Sequence, residues 1–181
     1  MIICAGESEQ FDFAKSMGIG LIDISINLTQ ECITNRPKSI LFVGSAGSYG
    51  NKKIFDIVES NSATNIENSF FNANSYSPID NTILQKNITH KIFVNSSNYI
   101  TTDFNLAKSY LSKNIEIENM EFYAVVKVAQ KFNIPVRGIF IVTNYCNKNA
   151  HKEFLQNHKE AMQKLTEYII IKNRQVLQHY S

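Results

Sequence analysis

The sequence predicts an α/β fold in which helices cover a sheet of buried strands. From Glu121 to Phe132 the pattern is helical, with Glu121, Ala124, Val128 and Phe132 on one stripe and Val125 and Ala129 beside it. After the break Asn133-Ile134-Pro135, the run Val136 and Gly138 to Val142 is short, apolar and β-branched, which reads as a buried strand. Ser39 to Val43 is another such strand, and His151 to about Lys172 places Phe154, Leu155, His158, Met162, Leu165 and Ile169 on one face of a long amphipathic helix packed on the sheet.

The remaining elements follow in order. Met1 to Ala5 reads as a short strand, and Gly6-Glu7-Ser8-Glu9 leads into a brief helical turn through Phe13. There the helix dipole and N-terminal capping account for Glu7 and Glu9, and a catalytic role is secondary. Gly18 to Ile33 fits both periods, but its length favours a helix, ended by Asn35-Arg36-Pro37. The strand Ser39 to Val43 runs into a loop, Gly44-Ser45-Ala46-Gly47-Ser48-Tyr49-Gly50, whose small residues allow close backbone approach with N–H groups free to meet an anion or the polar edge of a ligand. The glycine spacing lacks the dinucleotide fingerprint. Lys53 to Glu59 reads as a strand, Asn61 to Asn87 as a loop-dominated region with one strand around Ser69 to Asn72, and Lys91 to Asn95 as a further strand. Asp103 caps a helix running to Ser112, and Ile115-Glu116-Ile117 alternates like a strand.

The 181 residues suit one domain, 1–181, with room for a sizeable core. Hydrophobic residues make up 44% and charged residues 19%, a globular balance. The formal charge of +2 is small and its basic residues are dispersed, with only Arg36, Arg137 and Arg174 as arginines, so no basic stripe argues for nucleic acid or a membrane surface. Cys4, Cys32 and Cys146 are odd in number and widely separated, and His90, His151, His158 and His179 are scattered; this implies reduced thiols and no metal site. No leader-like start or long apolar run is present, and a cytoplasmic location is expected.

Chemistry concentrates where the late strand closes in Thr143-Asn144. A polar pair at the carboxyl end of a buried strand is where open α/β sheets place ligands, although it also serves as an ordinary turn. Met120-Glu121, at the start of the preceding helix, can face the same crevice.

Three ordered motifs carry a resemblance to the purine nucleoside phosphorylase and nucleosidase superfamily: Gly18-Ile19-Gly20 before a helix, Gly44-Ser45-Ala46-Gly47 after an apolar strand, and Asn119-Met120-Glu121 with Ala124 followed by Thr143-Asn144. The resemblance covers Gly18 to Ile170 and is nearest to short purine nucleoside phosphorylases. It implies a three-layer α/β sandwich with a twisted mixed sheet, a purine nucleoside as substrate, and a homo-oligomer. By position, Glu121 would accept hydrogen bonds from ribose hydroxyls, Met120 would pack on the sugar, and Asn144 with Thr143 would meet the purine. Ser45, Ala46 and Gly47 would line the nucleophile or base side, and Tyr99 would stack on the base. Asn144 in place of the Asp of many relatives implies preference for 6-oxopurines.

The resemblance first implies phosphorolysis of inosine or guanosine, with phosphate as co-substrate and no cofactor. Phe42 departs from it, because hexameric phosphorylases carry Arg two residues before the glycine of the Gly-Ser motif. Hydrolysis is the alternative, as in methylthioadenosine/adenosylhomocysteine nucleosidases or futalosine hydrolase, with Glu9 as the water-activating base. Glu9 lies only nine residues from Gly18, where the family usually has several tens. Asn119 replaces the usual first Glu of the late motif, and Phe122-Tyr123 replaces small residues and is expected to narrow the pocket. A nucleoside-binding or interaction protein without catalysis is the third possibility.

Overall fold

The computed structural model describes residues 1–73, 76–84 and 92–178. The described elements are β1 (Ile2–Cys4), β2 (Lys15–Ser16), α1 (Gly20–Asn35), β3 (Ile40–Ser48), β4 (Ile57–Ser60), β5 (Ser62–Thr64), α2 (Asn68–Phe71), β6 (Thr82–Ile83), β7 (Phe93–Asn95), α3 (Phe104–Leu111), β8 (Ile115–Glu118), α4 (Phe122–Lys131), β9 (Val136–Tyr145) and α5 (Ala150–Gln178). Lys91 of the predicted strand, together with His90 and His179, lies outside the described residues.

The sheet is built around β3 and β9, which run parallel from Ile40 opposite Val136 to Ser48 opposite Tyr145. The other edge of β3 is shared: β1 pairs with it in parallel at Leu41 and Phe42, while β8 pairs antiparallel at Gly47 and Ser48. β4 lies antiparallel on the far edge of β9, and β7, β5 and β6 continue the sheet beyond β8. Period-two alternation divides the core. Phe42 and Ala46 pack with Ile24 and Leu28 of α1 and Val125 of α4, whereas Val43 packs with Ala161, Leu165 and Ile169 of α5. Helices therefore cover both faces of a mixed sheet, the predicted three-layer α/β sandwich.

Four local expectations change. Gly44 to Ser48 continues β3 instead of forming a loop, because pairing with β9 throughout, joined by β8 at Gly47 and Ser48, overrides the poor strand propensity of glycine and serine. Lys53 to Asp56 is a turn, closed by the Lys53 N–H on the Asp56 carboxylate at 2.7 Å, and β4 starts only at Ile57. Ser69 to Phe71 falls in the short helix α2, with Asn72 as its C-cap, and Phe71 meets Tyr110 edge-on. The Glu7 to Phe13 stretch forms non-helical turns, so the capping account of Glu9 does not apply.

Candidate active site

The carboxyl ends of β3, β8 and β9 surround a cavity of about 280 Å³, completed by the turn after β1, the Ser97–Ile100 segment and the start of α5. Of the predicted residues, Glu9, Ser45, Ala46, Gly47, Tyr99, Met120, Glu121 and Asn144 all line it. These positions span most of the chain, and the parallel pairing of β3 with β9 is what brings the two principal motifs together.

Glu9 enters from a tight turn in which its N–H meets the Gly6 carbonyl at 2.9 Å. Its carboxylate receives the Ser45 N–H at 3.2 Å on each oxygen and a short hydrogen bond from the Ser45 hydroxyl. The anion expected at the Gly-Ser motif is thus one of the chain's own side chains. A Cβ on Gly44 would stand 2.7 Å from Glu9 Oε2, so only glycine leaves the carboxylate its place. Burial raises the proton affinity of Glu9, and the two bonds from Ser45 partly restore the ionised form.

Glu121 stands at the start of α4. Its Oε1 accepts the Gly20 N–H at 2.9 Å, and Gly20 holds φ +78°, which explains the glycine in the early motif. Burial pushes the Glu121 pKa up to about 7; the Gly20 bond opposes this, and the nearby Glu9 charge adds to it. Asn119 has a structural task in place of the family's Glu. Its Oδ1 accepts the N–H groups of Glu121 and Phe122, while its amide nitrogen donates to the Ser45 carbonyl at 3.0 Å, tying β3 to the head of α4.

Asn144 is aimed by a bulge. Val142 lies opposite Ala46 and Asn144 opposite Gly47, so Thr143 is the extra residue of β9. Thr143 is completely buried and does not line the cavity; its hydroxyl donates to Asn144 Oδ1 at 2.9 Å. The predicted contact residue thus orients Asn144 from behind. The Asn144 nitrogen donates to the Tyr145 carbonyl at 3.3 Å, leaving its second hydrogen for a ligand.

Phe122 and Tyr123 do not narrow the cavity. Phe122 packs in the core against Phe42 and Phe140, and the Tyr123 hydroxyl donates to the Asp80 carbonyl at 3.1 Å. Tyr99 is at the mouth with 82% of its surface exposed. Cys146 is a buried thiol whose pKa burial raises, unsuited to act as a nucleophile at neutral pH.

The lining also includes Ile19, Ile100, Glu118, His151 and Phe154, which sequence reasoning did not select. Phe154 belonged to the predicted inner face of α5, and Glu118 followed an alternation that assigned it no site. Among the described residues no cluster of three or more His, Cys, Asp or Glu is placed to hold a metal, and no helix is long and apolar enough to cross a membrane.

The sequence profile of the phosphorylase superfamily matches residues 3–171. A search of curated protein sequences finds no match. Among solved structures, a mutant futalosine hydrolase of Helicobacter pylori is similar at TM-score 0.77 and 15% identity, covering 93% of this chain and 95% of that one. A mutant H. pylori MTAN with 5′-methylthioadenosine in its active site is similar at TM-score 0.75 and 16% identity, covering 90% and 79%. The Streptococcus pneumoniae MTA/SAH nucleosidase in complex with 8-aminoadenine gives 0.72 and 14%, covering 93% and 95%.

Proposed function

The chain belongs to the phosphorylase superfamily, and from that premise we propose that it is a purine nucleosidase, cleaving the N-glycosidic bond of 6-oxopurine nucleosides with water activated by Glu9. The observation that carries this reading is the Glu9 carboxylate, buried in the cavity and held on both oxygens by the Ser45 N–H. A general base needs raised proton affinity and a fixed position, and burial with the Ser45 bonds supplies both.

Cleavage begins with stretching of the bond between C1′ and N9, which leaves positive charge on the ribose and negative charge on the purine. Ionised Glu121 accepts hydrogen bonds from the ribose hydroxyls and favours the cation, an interaction stronger in the transition state than in the ground state. Met120 packs against the sugar. The Asn144 amide donates to O6 and accepts the hydrogen of a purine protonated at N7 by solvent. Water then bonds to C1′ and gives its proton to Glu9, while the bond electrons leave with the purine. The scheme uses water as co-substrate and no cofactor.

The expectation of phosphorolysis gives way to hydrolysis on electrostatic grounds. No lysine or arginine is among the described residues lining the cavity, and Phe42 is buried in the core. Phosphate at Ser45 would face the Glu9 carboxylate, and two like charges 4 Å apart repel by about 4 kcal/mol at an effective dielectric constant of 20. The fold-sharing nucleosidases and futalosine hydrolase agree with water as the nucleophile.

The proposal extends to assembly. Ile22, Ile26 and Ile33 form an exposed stripe on α1, opposite buried Ile24, Leu28 and Cys32. A second copy would cover this stripe and close the mouth beside Tyr99 and Ile100, giving a homo-oligomer.

The test is Glu9→Gln, which keeps size and removes the base. Hypoxanthine release from inosine should fall about 10²- to 10⁴-fold while inosine binding persists. Unchanged turnover would remove Glu9 from the mechanism.

A further inference from the structure

Asn119 is a buried amide on the cavity wall, and its hydrogen bonds connect the two carboxylates of the scheme above. Its orientation follows from its partners. The N–H groups of Glu121 and Phe122 can only donate, at 2.9 and 3.0 Å, so the atom that meets them is the amide oxygen. The nitrogen then faces the Ser45 carbonyl at 3.0 Å, an atom that can only accept. Ser45 in turn holds Glu9 through its N–H and its hydroxyl. One side chain therefore spans from the peptide that positions the base to the peptide that positions Glu121.

The amide nitrogen has a second hydrogen, placed to serve the Glu121 carboxylate. The Asn119 side chain favours the ionised form of that carboxylate, together with the N–H groups of Gly20 on α1 and of Met120. Burial and the charge of Glu9, on the turn after β1, act in the opposite direction. The other titratable side chains on the cavity wall are Glu118, His151 and Tyr99, and no lysine or arginine is among the described residues there. A further carboxylate beside Glu121 would have no lysine or arginine to offset it. A neutral amide donates a hydrogen and adds no charge.

Resting on the nucleosidase reading, we propose that Asn119 is a positioning residue of the reaction: its amide fixes Ser45, and through it Glu9, against the head of α4, and its neutral donor keeps Glu121 ionised toward the ribose. An acid at this position would reverse the second task. In Asn119→Asp the oxygen that accepts from Glu121 and Phe122 remains, at a helix N-terminus that favours negative charge, so the introduced carboxyl is ionised at neutral pH. Its other oxygen replaces the donor, and Glu121 then faces a like charge. A residue that only capped α4 would tolerate the exchange, because aspartate and asparagine cap helices about equally well.

The experiment is a carboxyl-carbon NMR titration of the intact protein with isotopically labelled glutamate, the Glu121 signal being identified by its absence in Glu121→Gln. The wild-type midpoint should lie at about 7. In Asn119→Asp it should rise by about 1 to 3 pH units, the effect of a like charge at close range. Asn119→Ser keeps an oxygen for the N–H groups but lacks the amide hydrogens, and it should move the midpoint upward by a smaller step; it carries the test if circular dichroism shows that the acidic variant does not fold. In turnover, a midpoint moving from about 7 to about 8 means about a 5-fold loss of hypoxanthine release at pH 7 that is recovered at pH 9, whereas lost packing gives a loss independent of pH. An unchanged Glu121 midpoint in the folded variant would overturn the proposal. The titration needs no turnover. A shifted midpoint without nucleoside cleavage at any pH would support the effect of Asn119 on Glu121 and refute the hydrolase reading; cleavage with an unshifted midpoint would do the reverse.

Discussion

Replacing Glu121 with glutamine should stabilise the unliganded protein by an amount that grows as pH rises from 4.5 to 7. The Glu121 pKa is about 7 against a reference value of 4.5, because burial and the Glu9 charge outweigh the Gly20 hydrogen bond. Below 4.5 the group is protonated in both folded and unfolded chains and carries no penalty. Between 4.5 and 7 the folded state binds more protons, so stability falls as pH rises; above 7 the full cost of a buried carboxylate is present. That cost is about 3 kcal/mol at pH 8 and about 1 kcal/mol at pH 5.5, at roughly 1.4 kcal/mol for each pKa unit. Glutamine does not titrate, yet its carbonyl can still accept the Gly20 N–H. The advantage of Glu121→Gln over wild type should therefore grow by about 2 kcal/mol between pH 5.5 and pH 8, near 1 M in the urea midpoint for an m-value of about 2 kcal/mol/M. Turnover should collapse in the same variant if Glu121 stabilises the ribose cation. Urea unfolding at both pH values, at one protein concentration, measures the stability effect. An advantage that is absent, or that shrinks as pH rises, would refute the assignment of Glu121 as a buried carboxylate held at energetic cost for function.

Gly44→Ala should lower turnover by about 10²-fold while leaving a folded protein, because the new methyl group displaces Glu9 Oε2; steady-state kinetics with a circular dichroism melt checks both parts. Asn144→Asp should move the ratio of inosine to adenosine cleavage toward adenosine, since a protonated Asp can donate to N7 while its other oxygen accepts from a 6-amino group; an unchanged ratio would remove Asn144 from base selection. Sedimentation at micromolar concentration should show a homo-oligomer, and Ile22→Asp together with Ile26→Asp should dissociate it if the exposed stripe of α1 is the contact.

The elements with long and consistent periodicity were legible in the sequence. α1 ends at Asn35, where Arg36 takes φ 45° before Pro37, and α4 and β9 flank the predicted break at Asn133 to Pro135. Glu121, Asn144 and Ser45 could be selected because motif and element context agreed. Glu118 was hidden for a physical reason: Glu116 and Glu118 alternate identically, but only Glu118 is covered by Tyr49 and Thr101, contacts made across the sequence. The place of Glu9 in the cavity wall was not legible because a surface helix start explains acidic residues equally well; only the β1–β3 pairing brings it to Ser45. Thr143 looked like a contact residue because a bulge that turns it away cannot be read from one strand alone.

The most direct measurement of the central claim is to incubate inosine with the purified protein in phosphate-free buffer, then repeat with millimolar phosphate, following hypoxanthine by absorbance and the sugar by NMR. Water activated by Glu9 predicts the same rate in both and free ribose as the sugar product. Hypoxanthine release that requires phosphate and yields ribose 1-phosphate would contradict it.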